Sequence, residues 1–194
     1  MSKQTPNHQE PQASTATVAK AAVSLREVTA STVRAVTDLR VAPEQEGYVA
    51  SNAVSIAQAY FHREAWFRSI HTESDLIGFV MLSDSALLTP APAPAQLSLW
   101  RFMIDRRYQK AGLGRKALEL VVAHARTRPG IDAIHTSYVV GPHGPKEFYL
   151  SFGFRHTGEI KPNGEVALVL ALASRMLQGI VVPEGAAQFP GEPE

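Results

Sequence analysis

Residues 109 to 116 read Gln109-Lys110-Ala111-Gly112-Leu113-Gly114-Arg115-Lys116. Two glycines let the backbone turn tightly and leave N–H groups free to point outward. A helix starting at the second glycine adds its own unsatisfied N–H groups and a positive dipole end. That chemistry suits a phosphate-bearing ligand. Arg115 and Lys116 add positive charge beside the turn.

Three readings of this turn stay open on residues alone. The first is a nucleotide-like coenzyme held by its pyrophosphate. The second is a dinucleotide fold, because Gly112, Gly114 and Ala117 fit GxGxxG/A and Asp132 stands at about the right separation. Against it, Asp105 to Ala111 intervene between the strand and the turn, and Asp132 precedes the next strand instead of ending it. The third is a plain glycine turn under a solvated basic face. A Walker A pattern is absent. The seven histidines (His8, His62, His71, His124, His135, His143 and His156) are scattered, with no HExxH or HxxxH pair, so no metal site is expected.

The elements that must position the turn can be read in order. Residues 1–22 are polar and small, which reads as a disordered tail. Val23 to Val28 reads as a strand, and Thr29 to Leu39 as a helix capped by Thr29 or Ser31. An acidic loop from Val41 to Gly47 leads to a second helix, Tyr48 to Ala59. Ala65 to His71 and Leu76 to Leu82 read as strands joined by the Thr72-Glu-Ser-Asp turn. The proline-alternating run LLTPAPAPA must be loop. Leu97 to Ile104 is the strand entering the glycine turn. The helix after Gly114 carries Ala117, Leu118, Val121, Val122 and Ala125 on one face, and Pro129-Gly130 stops it. A strand from Ala133 to Val140, a short helix from Lys146 to Phe152 and a hairpin (Arg155 to Ile160, Glu165 to Leu172) complete the domain. Residues 173–194 read as a loose extension.

Composition sets the outer limits. A chain of 194 residues with 45% hydrophobic content suits one α/β domain, here 23–172, with tails. A net charge of +1 makes no case for nucleic acid. There is no cysteine, which excludes disulfides and thiolate chemistry. No apolar run is long enough to span a membrane and no signal-peptide core is present, so a cytoplasmic protein is the expectation.

Strand, QxxGxG turn and helix in this order resemble the coenzyme-binding motif of the GNAT superfamily of N-acetyltransferases. The element order β-αα-βββ-α-β-α-ββ is that family's order, and the resemblance covers roughly residues 23–172. It implies a mixed α/β fold with a mostly antiparallel central sheet flanked by helices. It also implies acetyl-CoA as co-substrate, no metal, and direct attack by an amine in a ternary complex. Gln109, Lys110, Ala111, Gly112, Leu113, Gly114, Arg115 and Lys116 would grip the pyrophosphate. The backbone of Met103 and Ile104 would pair with the pantetheine arm like an added strand. A homodimer is common in the family.

The resemblance extends to FYxxxGF, with Tyr149, Gly153 and Phe154. It implies that Tyr149 stands at the coenzyme sulfur as general acid. A phenol (pKa ~10) is a weaker acid than a thiol (~8.5), so full proton transfer is uphill by roughly 2 kcal/mol in water. Tyr149 is therefore expected to act mainly by hydrogen bonding to the departing thiolate. Many relatives carry an asparagine ahead of this helix, whereas here the turn reads GPHGP with His143 the nearest polar side chain.

The amine must also lose a proton, which costs about 4–5 kcal/mol at pH 7 for a pKa of ~10.4. Some relatives place a glutamate on the strand before the glycine turn, but Leu97 to Ile104 holds no carboxylate. Glu44 is the candidate base, and Glu44 and Glu46 are the candidates for binding the amine; Asp105 and Glu165 are weaker bases. Val41-Ala-Pro-Glu-Gln, Val49-Ala-Ser-Asn-Ala, Ala57-Gln-Ala-Tyr, Gly78-Phe-Val-Met-Leu and Trp100-Arg-Phe-Met-Ile-Asp look like the bacterial diamine/spermidine acetyltransferase group. The expected partner is thus a small-molecule amine such as a polyamine, with Glu73 and Asp75 as further cation partners. Other amines and a non-catalytic coenzyme-binding module remain as alternatives.

Overall fold

The structure, a computed structural model, describes residues 21–172. The expectations for the two tails lie outside these residues, except at Ala21 and Ala22. The elements are β1 (Ser24–Arg26), α1 (Val33–Asp38), α2 (Asn52–Ala59), β2 (Ala65–His71), β3 (Leu76–Asp84) and β4 (Leu97–Ile104). Then come α3 (Leu113–Ala125), β5 (Ala133–Tyr138), α4 (Lys146–Phe152), β6 (Arg155–Ile160) and β7 (Val166–Ala171). Seven strands form one sheet in the order β1-β2-β3-β4-β5-β7-β6. Every pairing is antiparallel except β4 with β5. This is the expected order and the expected fold class.

Two apolar layers cover the sheet. On one face Leu113, Ala117, Leu118, Val121 and Ala125 of α3 pack against Ile70, Val80, Leu82, Leu97 and Leu99. On the other, Val36 and Leu39 meet Phe79, Met81 and Met103, with Val49 and Ile56 alongside. The amphipathic stripe read from α3 is thus the stripe that is buried.

The first two helices are shorter than the sequence pattern suggested. Thr29 neither opens α1 nor caps it. Its backbone N–H donates to the Thr32 hydroxyl (2.8 Å) and its own hydroxyl bonds those of Ser31 and Thr32 (2.9 and 3.1 Å), so the segment closes as a turn. Ser51 caps α2 by accepting from the N–H of Val54 at 3.3 Å, which leaves Tyr48 to Ala50 outside the helix. Arg128 stands just beyond the end of α3. It approaches Asp84, which is fully buried, at 2.6 Å, in an orientation off-line for a hydrogen bond. That ion pair ties the end of α3 to the end of β3.

Two irregularities open the sheet at its middle. In β4 the register with β3 passes from Leu82↔Leu99 to Met81↔Arg101, leaving Trp100 as an extra residue. Leu97 and Leu99 face α3 before the bulge, whereas Phe102 and Ile104 face it afterwards. The bulge therefore brings Met103 to the α1–α2 face, where Trp100 already lies. The second irregularity is the parallel ladder itself. It is registered only at Leu97↔Ile134 and Ser98↔His135, after which β4 and β5 separate.

Candidate active site

The gap between the separating strands is the mouth of a cavity of about 1090 Å³. Ser98 to Ile104 line one side and Thr136 to Val139 the other. Its two ends are built differently.

At one end lies the glycine turn. Helix α3 begins at Leu113 with Gly112 as its cap, one residue earlier than the sequence suggested. Gly112 has φ +76°, and a side chain there would meet open space, so its requirement is conformational. Lys110 also has positive φ, at 62°. For a non-glycine residue that is uncommon and is found at ligand clamps. Gly114 is an ordinary helical residue. A Cβ on it would sit 3.5 Å from both Ile104 Cγ1 and Phe148 Cε2, so an alanine fits and a bulky group does not. Helix geometry leaves the first N–H groups of α3 without intrahelical partners. They face a turn whose residues Gln109, Lys110, Gly112, Gly114 and Arg115 line the cavity.

Three of the expected grip residues do not line it. Leu113 is fully buried in the core, Ala111 packs beside it, and the ammonium of Lys116 donates to the carbonyl of Ala21 at 2.9 Å. Arg115 is engaged along α3 and α4. It pairs with Glu119 at 3.5 Å, donates to the Ser151 carbonyl at 3.3 Å and lies over the Phe152 ring at 5.2 Å. Gln109 also has defined partners, since its amide donates to Gln45 Oε1 at 2.8 Å and to the Ile104 carbonyl at 2.9 Å. It links the glycine turn to the loop that carries Glu44 and Glu46.

Met103 and Ile104 line the cavity with the strand edge that β5 leaves unpaired. Tyr149, on α4, lines it as well while only 6% exposed. Burial pushes its phenol pKa up to about 12, with a hydrogen bond to Thr136 pulling the other way. The Thr136 hydroxyl donates its one proton to the Leu99 carbonyl at 3.0 Å, just where the two strands part. At neutral pH the phenol keeps its proton. Burial thus leaves the phenol a poorer proton donor than it is in water. The geometry therefore suits hydrogen-bond donation.

The other end holds side chains from five separate stretches of chain. His62, Glu64, Trp100, Arg101, Ser137 and Glu165 line it, with Glu46 and Tyr48 from the loop after α1. His62 and Glu64 pair at 2.9 Å, and the hydrogen bond with His62 holds the Glu64 carboxyl below its ordinary range. Arg101 donates to the Trp100 carbonyl (2.9 Å) and to Gln58 Oε1 (3.1 Å). Burial lowers its pKa, while the nearby Glu165 charge opposes that shift. Tyr48 roofs this end. A Cβ on Gly141 or Gly144 would run into its ring, so both glycines allow the loop after α1 to meet the turn after β5.

The carboxylates that line the cavity are Glu46, Glu64 and Glu165. Glu44 is exposed and lies outside the lining, as do Glu73 and Asp75. Asp105 is buried for a structural reason. Burial alone would raise its pKa, but bonds from Arg107 and the Arg40 and Arg107 N–H groups hold it low. Sequence reasoning missed Glu64 and Arg101. A weak signal existed for Arg101, the one charged residue in a mostly apolar strand. His143 also lines the cavity. Among the described residues no cluster of three His, Cys, Asp or Glu could hold a metal, and no helix is long and apolar enough to cross a membrane.

The sequence profile of the acetyltransferase (GNAT) family matches residues 33–154, more than half of the chain. The chain belongs to the GNAT family. It is an N-acetyltransferase by class, and enzymes of this family use acetyl-CoA. Among curated relatives, the spermine/spermidine N(1)-acetyltransferase of Bacillus subtilis is 29% identical over 153 residues, covering 77% of this chain and 99% of the relative. Among solved structures, an aminoglycoside acetyltransferase in complex with coenzyme A superposes with a TM-score of 0.61 at 14% identity, covering 77% of this chain and 95% of that one. An acetyltransferase from Thermus thermophilus gives 0.58 at 18% identity, covering 78% and 97%. These two GNAT structures share the fold. Their identities are too low to carry an acceptor across.

Proposed function

We propose that this GNAT enzyme moves the acetyl group of acetyl-CoA to a primary amine of a small molecule, with spermidine or spermine the first candidates. The observation that carries the reading is one cavity running from the glycine turn, past Tyr149, to three carboxylates. The turn peptides and the first N–H groups of α3 take the pyrophosphate, with Lys110 beside them. The edge of β4 at Met103 and Ile104, which β5 leaves unpaired, takes the pantetheine amides. The coenzyme supplies the activated thioester. Tyr149 donates a hydrogen bond to the sulfur as negative charge collects there. Glu46, Glu64 and Glu165 offer partners to a polycationic acceptor, and the name of the Bacillus relative supports that choice.

Arg101 favours a second reading. Its guanidinium at the acceptor end suits an amine that also carries a carboxylate, such as an amino acid. The test is thiol release from acetyl-CoA by the purified chain against spermidine, spermine, amino acids, aminoglycosides and a lysine peptide. Acetyl-CoA binding is followed by calorimetry in the same samples. Turnover confined to the polyamines supports the first reading, and turnover confined to amino acids the second. Binding without turnover on any amine would sink both.

A further inference from the structure

The cavity has a polar focus on the opposite face of β5 from Tyr149. The Ser137 hydroxyl donates to Glu165 Oε2 at 2.5 Å. Ser137 pairs with Ala167 across the β5–β7 ladder. Glu165, two residues before Ala167, therefore lies diagonally across from Ser137 on the same face. The preceding residue, Thr136, points to the other face, where it is buried and bonds Tyr149. Consecutive Cα atoms are about 3.8 Å apart. A phenol and a carboxylate are thus anchored to adjacent residues of one strand, on its two faces. They are anchored where β5 has already parted from β4, beyond the last registered pair at Ser98↔His135.

The chemistry of that arrangement is specific. A carbonyl lying in the gap would have the Tyr149 hydroxyl on one side and the Glu165 carboxylate on the other. Oxygen Oε2 of Glu165 accepts from Ser137, and Oε1 has no hydrogen-bond partner among the described residues. The charged and titratable groups lining the same end are Arg101 of β4, Lys161 of the β6–β7 turn, Glu46 and Tyr48 of the loop after α1, and the His62–Glu64 pair. Glu64 already pairs with His62, and Glu46 is itself an exposed loop residue. Glu165 alone of the three carboxylates is held by a hydroxyl donor on the strand that also positions Tyr149.

We propose that Glu165 receives the ammonium of the acceptor and takes its proton, a role that rests on the acetyl-transfer reading above. The amine arrives as R–NH3⁺ and gives one proton to Glu165, which passes it to solvent. The freed lone pair forms the N–C bond as the C–S bond breaks. The second proton lost from nitrogen ends on the thiolate, so the products are amide, thiol and one released proton. Ser137 is a positioning residue, fixing the carboxylate with one oxygen left for the amine.

The experiment compares the full chain with Glu165→Gln, Glu165→Asp and Ser137→Ala. It measures acetyl-CoA binding, spermidine binding to the coenzyme A-loaded protein, and the transfer rate from pH 6 to 10. Glu165→Gln is expected to bind acetyl-CoA normally, which also reports that it is folded. It should bind spermidine about tenfold more weakly, lose about 100-fold in kcat/KM near pH 7 and depend more steeply on pH than the wild type, because only amine already deprotonated in solution can then react. Glu165→Asp should recover part of the rate, and Ser137→Ala should lose about threefold to tenfold. Wild-type spermidine affinity and pH profile in Glu165→Gln would overturn the assignment while leaving acetyl transfer intact. A wild-type chain that binds acetyl-CoA and acetylates no amine would overturn the transfer reading, and this assignment with it.

Discussion

The two ends of the cavity are made in different ways. The glycine-turn end is one contiguous stretch, Met103 to Arg115, and it presents mainly backbone: a free strand edge, a turn with two positive-φ residues, and the start of α3. The acceptor end is assembled from side chains on the loop after α1, the segment before β2, the bulged part of β4, the end of β5 and the β6–β7 hairpin. Backbone donors bind a ligand part shared by a whole family. Side chains drawn from distant segments can change one at a time without disturbing that part, which is how one fold serves many acceptors.

The largest effect that would break this comparison is at Tyr149, between the two ends. Tyr149→Phe should lower kcat by about 100-fold and leave acetyl-CoA affinity unchanged, read by steady-state kinetics beside calorimetry. An unchanged kcat would make Tyr149 a packing residue. The same variant carries a pH signature. With the folded phenol pushed up to about 12, its contribution to stability is whole below pH ~10 and is lost as pH rises toward 12. Melts of the wild type should therefore fall more steeply than those of Tyr149→Phe over that window and match them in slope below it.

Gly112→Val tests the backbone end. An added Cβ has room, so the cost is the positive φ, and coenzyme affinity should drop by about tenfold. Glycine-like affinity in the valine variant would remove the conformational argument. At the seam, Gln109→Leu removes the bonds to Gln45 and Ile104. It should raise KM for both substrates by about threefold to tenfold, since each bond is worth about 1 kcal/mol. A rise for acetyl-CoA alone would confine Gln109 to the coenzyme end. The smallest effect is expected at Glu44, exposed outside the lining. Glu44→Gln should change kcat/KM by less than about twofold, as surface substitutions do.

The element order and the glycine turn were legible because both are local. Apolar and aromatic runs between turn residues mark β2 and β4, whose bounds match the structure, and period 3.6 marks the buried face of α3. Gln109, Gly112 and Gly114 could be found because a phosphate cradle needs consecutive peptides, and consecutive peptides are consecutive residues. Helix starts near Thr29 and Tyr48 were read too early because short polar residues and an aromatic found other partners. The Thr29 turn closes on neighbouring hydroxyls, and Tyr48 lies against two glycines nearly a hundred residues away.

What only the tertiary structure decided is which carboxylates line the cavity. Glu44 and Glu165 look alike in the sequence, both being carboxylates beside a turn. One is exposed, and the other is drawn to Ser137 by the register of β5 with β7. The Trp100 bulge likewise reverses which side chains of β4 face α3, and no residue in LSLWRFMI announces it. Sequence by itself determined the backbone-built end, where spacing along the chain is spacing in the site. The side-chain-built end depends on strand register and on where β4 parts from β5, and those follow from packing across the whole sheet.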